Sequence, residues 1–145
     1  MTGGKNKDGE SQELRRALDE LLAERKQLLA VFCQAANASQ EHSEESRTQL
    51  FARLCQLLMD YAALWQFEIH DVLVHSAAEH STAVKALELH QPVIQQAANN
   101  ALDFNDMFDI FVQEGKTPQM ESRLSVLGES LANRFEAEDQ IVLNL

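Results

Sequence analysis

The sequence predicts an all-α protein, an antiparallel helical bundle of four long helices with the third interrupted near Pro92. Three observations carry this. No glycine or proline lies between Ser11 and Gln91. The β-branched runs expected of strands are missing. Apolar residues instead recur at three-to-four spacing, the period of a helix that buries one face.

The first stripe, Leu14, Leu18, Leu21, Leu22, Leu28, Leu29, Phe32 and Ala35, predicts a helix over about 11–37. Asn37 to Ser46 is polar and reads as a loop, with Ser46–Gln49 at capping-box spacing and Ser43 before Glu44 an equal start. The second stripe runs from Leu50 through Leu54, Leu57, Leu58, Tyr61, Leu64 and Trp65 to Ile69, Val72 and Leu73, predicting a helix over about 46–78. Ser81 caps a short helix through Leu89, and Pro92 suits the first turn of a new or kinked helix reaching about Val112. Gly115 marks a stop, and Thr117-Pro118 is an N-cap followed by proline at the first helical position. Met120, Leu124, Leu127, Leu131, Phe135, Val142 and Leu145 then continue a stripe to the end. Helices of this length joined by short loops form a bundle. The expected organisation is a disordered tail over 1–10 and a single domain over 11–145, with no internal repeat.

The 145 residues carry 12 Lys+Arg against 23 Asp+Glu, a formal net charge of −11. Direct nucleic-acid binding needs a basic face and is excluded as a first reading. No long apolar run marks a membrane span and no secretory leader is visible. Two cysteines in apolar stretches, Cys33 and Cys55, fit a cytoplasmic protein with reduced thiols. The acids are uneven: between 54 and 115 nine of them meet a single base, Lys85. This is either a solvated acidic face or a platform for a cationic protein surface.

Chemistry finds little support. The Glu-x-x-His pairs of di-iron bundles are absent, since Phe67, Val72, Ala77, Leu87 and Ser39 stand three before the five histidines. Asp71, His75 and Glu79 recur at four-residue spacing, which could hold a divalent ion or decorate a surface helix. Gly-x-Ser-x-Gly elbows and phosphate-binding glycine loops are missing. A phosphorelay bundle needs an exposed histidine followed by lysine three residues on, and no histidine here has one. No catalytic residue, cofactor or metal is expected. A phosphorelay or enzyme-modulating bundle that binds a signalling protein is the alternative from a different class.

Three ordered stretches resemble the Rsd/AlgQ family, the regulators of sigma D. Leu54-Cys55-Gln56-Leu57-Leu58-Met59-Asp60-Tyr61, continuing to Phe67-Glu68-Ile69, is similar to the family's F-C-Q-x-L-V-D-Y and the F-x-I after it. Leu102-Asp103-Phe104-Asn105-Asp106 resembles L-D-F-N-D, preceded by Pro92 and Ile94 at the expected offset. The run Leu127 to Gln140 resembles L-G-E-x-L-A-x-R-F-x-x-E-D-Q, and Glu24-Arg25 before Leu28-Leu29 fits the first helix. Asp19-Glu20-Leu21 replaces the family's Asp-Arg-Trp, as in a divergent member. The resemblance implies a bacterial anti-sigma factor that binds the primary sigma factor of RNA polymerase through its C-terminal promoter-recognition region. Some relatives also contact sugar-phosphotransfer or stringent-response proteins. An acidic helical surface would cover a basic helix-turn-helix, so occupancy alone would inhibit.

The candidate partner-binding residues are Asp60, Trp65, Phe67, Glu68, Asp71, Asp103, Asn105 and Asp106. Tyr61 beside Asp60 is read as a contact or as a core residue with its hydroxyl at the rim. Trp65 and Phe67 are either an exposed aromatic anchor or, for at least one of them, core. Asp103, Asn105 and Asp106 cannot all share a face with Phe104, so some point outward. Arg134 and Glu138, four apart, are expected to pair, and Gly128 to allow close helix approach.

Overall fold

The computed structural model describes residues 3–38, 43–114 and 118–145 and is helical almost throughout. The elements are α1 (Gly3–Asn37), α2 (Glu44–Leu64), a π-helical segment (Trp65–His70), α3 (Asp71–His75), α4 (Ser81–Glu114) and α5 (Pro118–Val142). The expected stop at Gly115 and cap at Thr117 lie outside the described residues, while Pro118 does open α5.

Of the two starts open to α2, Ser43 is the one used. Its extended backbone (φ −63°, ψ 156°) lets its hydroxyl oxygen accept the Ser46 N–H at 3.1 Å. Glu44 and Glu45 then place negative charge in the first turn, complementing the helix dipole.

The second stripe does not stay on one regular helix. Tyr61, Trp65, Ile69 and Leu73 repeat every four residues, and all four are buried. A four-residue step overshoots the 3.6-residue turn, so on an ideal helix such a stripe drifts by about 40° per step. The wider π turn over Trp65–His70 absorbs that surplus and keeps all four on the core. The helix then ends at His75, where Ser76 leaves helical geometry (φ −109°, ψ 37°).

The interruption expected at Pro92 does not appear as a break: α4 is continuous from Ser81 to Glu114. Pro92 withholds only the N–H that would serve the Glu88 carbonyl. Its ring is exposed, whereas Leu87 and Ile94 on either side are buried and hold the helix to its neighbours.

The helices close a ring, α1 on α2, α2 on α4, α4 on α5 and α5 back on α1. Arg25 reaches Glu138 while Phe32 meets Gly128, so α1 and α5 run in opposite directions. A Cβ added at Gly128 would stand 2.7 Å from the Phe32 ring, the close approach its position predicts. Phe51 of α2 packs on Phe104 of α4 with centroids 6.3 Å apart. Two members of the first stripe, Leu22 and Leu29, face outward, as does Leu145 at the end of the last.

Candidate functional site

Two sets of charged side chains lie back to back around Arg25 of α1. The inner set joins three helices. Arg25 donates to the Tyr61 hydroxyl (3.3 Å), to Glu138 Oε1 (3.2 Å) and to Asp139 Oδ1 (2.7 Å). Arg134 donates from Nε to Glu138 Oε2 at 2.9 Å, and the Tyr61 hydroxyl donates to Glu138 Oε1. The Arg25 guanidinium lies 4.7 Å over the Phe135 ring and that of Arg134 lies 5.4 Å over Tyr61. Burial raises the Glu138 pKa, while Arg134, Tyr61 and Arg25 pull it back down. Burial, followed by the neighbouring Glu138 charge, holds the Tyr61 phenol well above its usual range. The expected Arg134–Glu138 pair is thus real and buried. The Tyr61 hydroxyl, expected at the rim, is spent inside this network instead.

The outer set is mostly acidic. Asp60, one residue before Tyr61, turns to solvent and accepts from Gln56 Nε2 at 3.0 Å. Glu24, one residue before Arg25, keeps a buried Oε2 with no hydrogen-bond partner. Its pKa is raised by burial first, then by the charges of Asp60, Glu20 and Glu68. Asp60, Glu20 and Glu68 thus bring negative charge to Glu24 from α2, α1 and the π segment. Beside it Phe67 is 67% exposed and, with Arg16, Ala17, Glu20, Glu68 and Val72, lines a recess of about 300 Å³. The π turn makes this possible, because Trp65 and Ile69 take the core and leave Phe67 and Glu68 outside.

The eight candidate residues therefore divide. Asp60, Phe67 and Glu68 share the acidic patch. Asp71 is exposed nearby but tied to its own helix, with Oδ1 3.0 Å from both His70 Nδ1 and Gln66 Nε2. Trp65 is 1% exposed and is no surface anchor, because the four-residue stripe carries it inward. Asp103 and Asp106 are exposed on α4, Asp103 lining a groove with Arg123 of α5, while Asn105 is half-buried with Oδ1 unpartnered. Residue reasoning passed over Glu20 and Glu24. Their signal was a like-charged pair four apart on the polar side of the first stripe.

Metal and thiol readings gain nothing here. The helix carrying Asp71 and His75 stops before Glu79, which breaks the face those three were expected to share. Among the described residues no group of three His, Cys, Asp or Glu could hold a metal ion. Cys33 is an exposed free thiol, and burial with the nearby Asp109 pushes the Cys55 thiol up to about 12, leaving it protonated and inert. Among the described residues no helix is long and apolar enough to cross a membrane.

Comparison with known proteins agrees with the motifs. The family model described as "Regulator of RNA polymerase sigma(70) subunit, Rsd/AlgQ" matches residues 3–145. The chain is 28% identical over 141 residues to the "Regulator of sigma D" of Yersinia pseudotuberculosis serotype O:1b (strain IP 31758), covering 92% of this chain and 80% of that one. It is 27% identical over 131 residues to the "Regulator of sigma D" of Pectobacterium atrosepticum, covering 86% and 84%. No solved structure gives a significant match. Arg25, Tyr61, Arg134 and Glu138, which fall in the stretches that resemble the family, form the network that ties three helices together. The chain belongs to the Rsd/AlgQ family of regulators of the RNA polymerase sigma(70) subunit.

Proposed function

We propose that the patch of Glu20, Glu24, Asp60, Phe67 and Glu68 binds a basic surface of the primary sigma factor, in its C-terminal promoter-recognition region. The protein then regulates transcription in the cytoplasm by occupancy, without catalysis. The observation that carries this reading is Glu24: a carboxylate oxygen shut from water, without a donor and crowded by three other acids. A buried unmade hydrogen bond costs roughly 1–3 kcal/mol. A cation supplied by a partner would satisfy the orphan oxygen and relieve the crowding at once. Phe67 beside it offers the apolar contact that interface centres favour. A helix-turn-helix surface made to meet phosphates carries the matching charge.

The test is calorimetric titration of the full chain against a purified sigma C-terminal region, with thermal melting of each variant. Asp60→Lys is expected to weaken binding by several kcal/mol, as like charges across an interface do, and Phe67→Ala by about 2 kcal/mol. Neither is expected to move stability by more than about 0.5 kcal/mol. Wild-type affinity in both variants, with normal melting, would place the interface elsewhere.

A further inference from the structure

On α4 and α5, away from the patch that Glu24 centres, a second surface has the features of a recognition groove. Two recesses of about 380 and 410 Å³ share Val93 and Asn133 and so run together along the seam of the two helices. Ala97 and Ala137, both buried, form the floor, while Val93 (40%) and Val126 (58%) remain open. On α5 the lining residues Glu129, Asn133, Glu136 and Gln140 fall at i, i+4, i+7 and i+11, one exposed face about three turns long. On the α4 wall, Gln96 donates to Asn100 Oδ1 and Asn100 donates to the buried Ser130 hydroxyl (3.2 and 3.0 Å), fixing the Asn100 carboxamide in place.

Two features set this seam apart from ordinary surface. Pro92 lines it in mid-helix, where proline is normally excluded, and leaves the Glu88 carbonyl without its i+4 donor. From His90 to Asn100 on one wall and Val126 to Gln140 on the other, no Lys or Arg lines the seam, whose ionised groups are Glu129 and Glu136.

We infer that this α4–α5 seam is a second docking site, separate from the Glu24 patch, and that it takes an amphipathic basic helix of a partner protein. The charge and spacing select that occupant. Glu129 and Glu136 stand seven residues apart, about 10.5 Å along the axis, which pairs them with Lys or Arg seven apart on a helix laid in the groove. Beside them the exposed Val93 on α4 and Val126, about one turn before Glu129 on α5, receive apolar side chains at the i, i+4 and i+7 anchor positions of helix-in-groove recognition.

The probe is a synthetic 18-residue helical peptide with leucine anchors on one face and lysines seven apart beside them. Its control is a peptide of identical composition with the order scrambled. Both are titrated into the isotope-labelled full-length chain and followed by amide chemical shifts. The patterned peptide is expected to bind at least ten-fold tighter than the scrambled one and to shift Val93, Asn133 and Glu136. The double variant Glu129→Lys/Glu136→Lys is expected to lose at least ten-fold in affinity with its melting unchanged, whereas Asp60→Lys leaves peptide affinity untouched. Equal binding of the two peptides, shifts centred on Phe67 and Glu68, or a double variant that binds like wild type would each overturn the proposal. Because the Asp60 patch is read out by a different ligand, failure of either site leaves the other standing.

Discussion

Glu24 and Glu138 both belong to Arg25, one as its neighbour in the chain and the other as its partner in space. Glu138 is fully buried, yet it receives Arg25, Arg134 and the Tyr61 hydroxyl. Glu24 is less buried, and its inner oxygen receives nothing. Consecutive helical residues do not face each other, and Arg25 points to α5, where it meets two carboxylates, Glu138 and Asp139. The contrast shows how one bundle separates architecture from recognition. A buried charge is tolerated where partners surround it; a charge left short of partners at the surface is the one proposed above to meet a ligand.

The largest expected effect breaks the inner set. Glu138→Ala leaves the buried Arg134 guanidinium without its carboxylate and Arg25 with Asp139 alone, and is expected to cost about 3–5 kcal/mol in denaturant unfolding. If it costs less than about 1 kcal/mol, Glu138 is no keystone. Tyr61→Phe, which removes the bond the hydroxyl donates to Glu138 and the one it accepts from Arg25, should cost about 1.5–3 kcal/mol and leave helical content intact by circular dichroism.

Smaller effects belong to the outer set and have the opposite sign. Glu24→Gln removes a crowded charge, so stability should stay level or rise by up to about 0.5 kcal/mol, while affinity for the sigma C-terminal region falls. A clear loss of stability would show that Glu24 is structural. The pH dependence follows from the raised Glu24 pKa. A carboxyl whose native pKa exceeds its unfolded value binds more protons when folded, so its effect on stability worsens as pH rises from the ordinary glutamate range through the native pKa. Above that window the penalty is complete. Wild type minus Glu24→Gln, measured by urea unfolding between pH 4 and 7, should therefore decline with pH. The smallest effect is ionic. Added salt screens like charges at the surface, so it should narrow the gap between wild type and Glu24→Gln yet leave the cost of Glu138→Ala nearly unchanged.

Much of the site was legible before the fold was known, though by different routes. Asp60 and Glu68 lie in a stretch poor in bases, and the imbalance of charge marks them as candidates, while Phe67 enters as a candidate aromatic anchor. Arg134 and Glu138 announce their pairing by four-residue spacing. Trp65 and Phe67, two residues apart, were a choice that periodicity left open. Only the π turn decided it, because widening six residues of helix changes which side chains face the core. Pro92 was misjudged for the converse reason: local geometry argues for a break there, and buried neighbours on both sides hold the helix through it.

By itself the sequence determined the helical class, the apolar stripes, the Ser43 and Pro118 starts it offered and the acidic bias, because each depends on residues within a turn or two of one another. Tertiary structure alone decided that Arg25 would meet two carboxylates more than a hundred residues away. Local spacing cannot express that choice, which depends on the energy of burying charge where three helices meet.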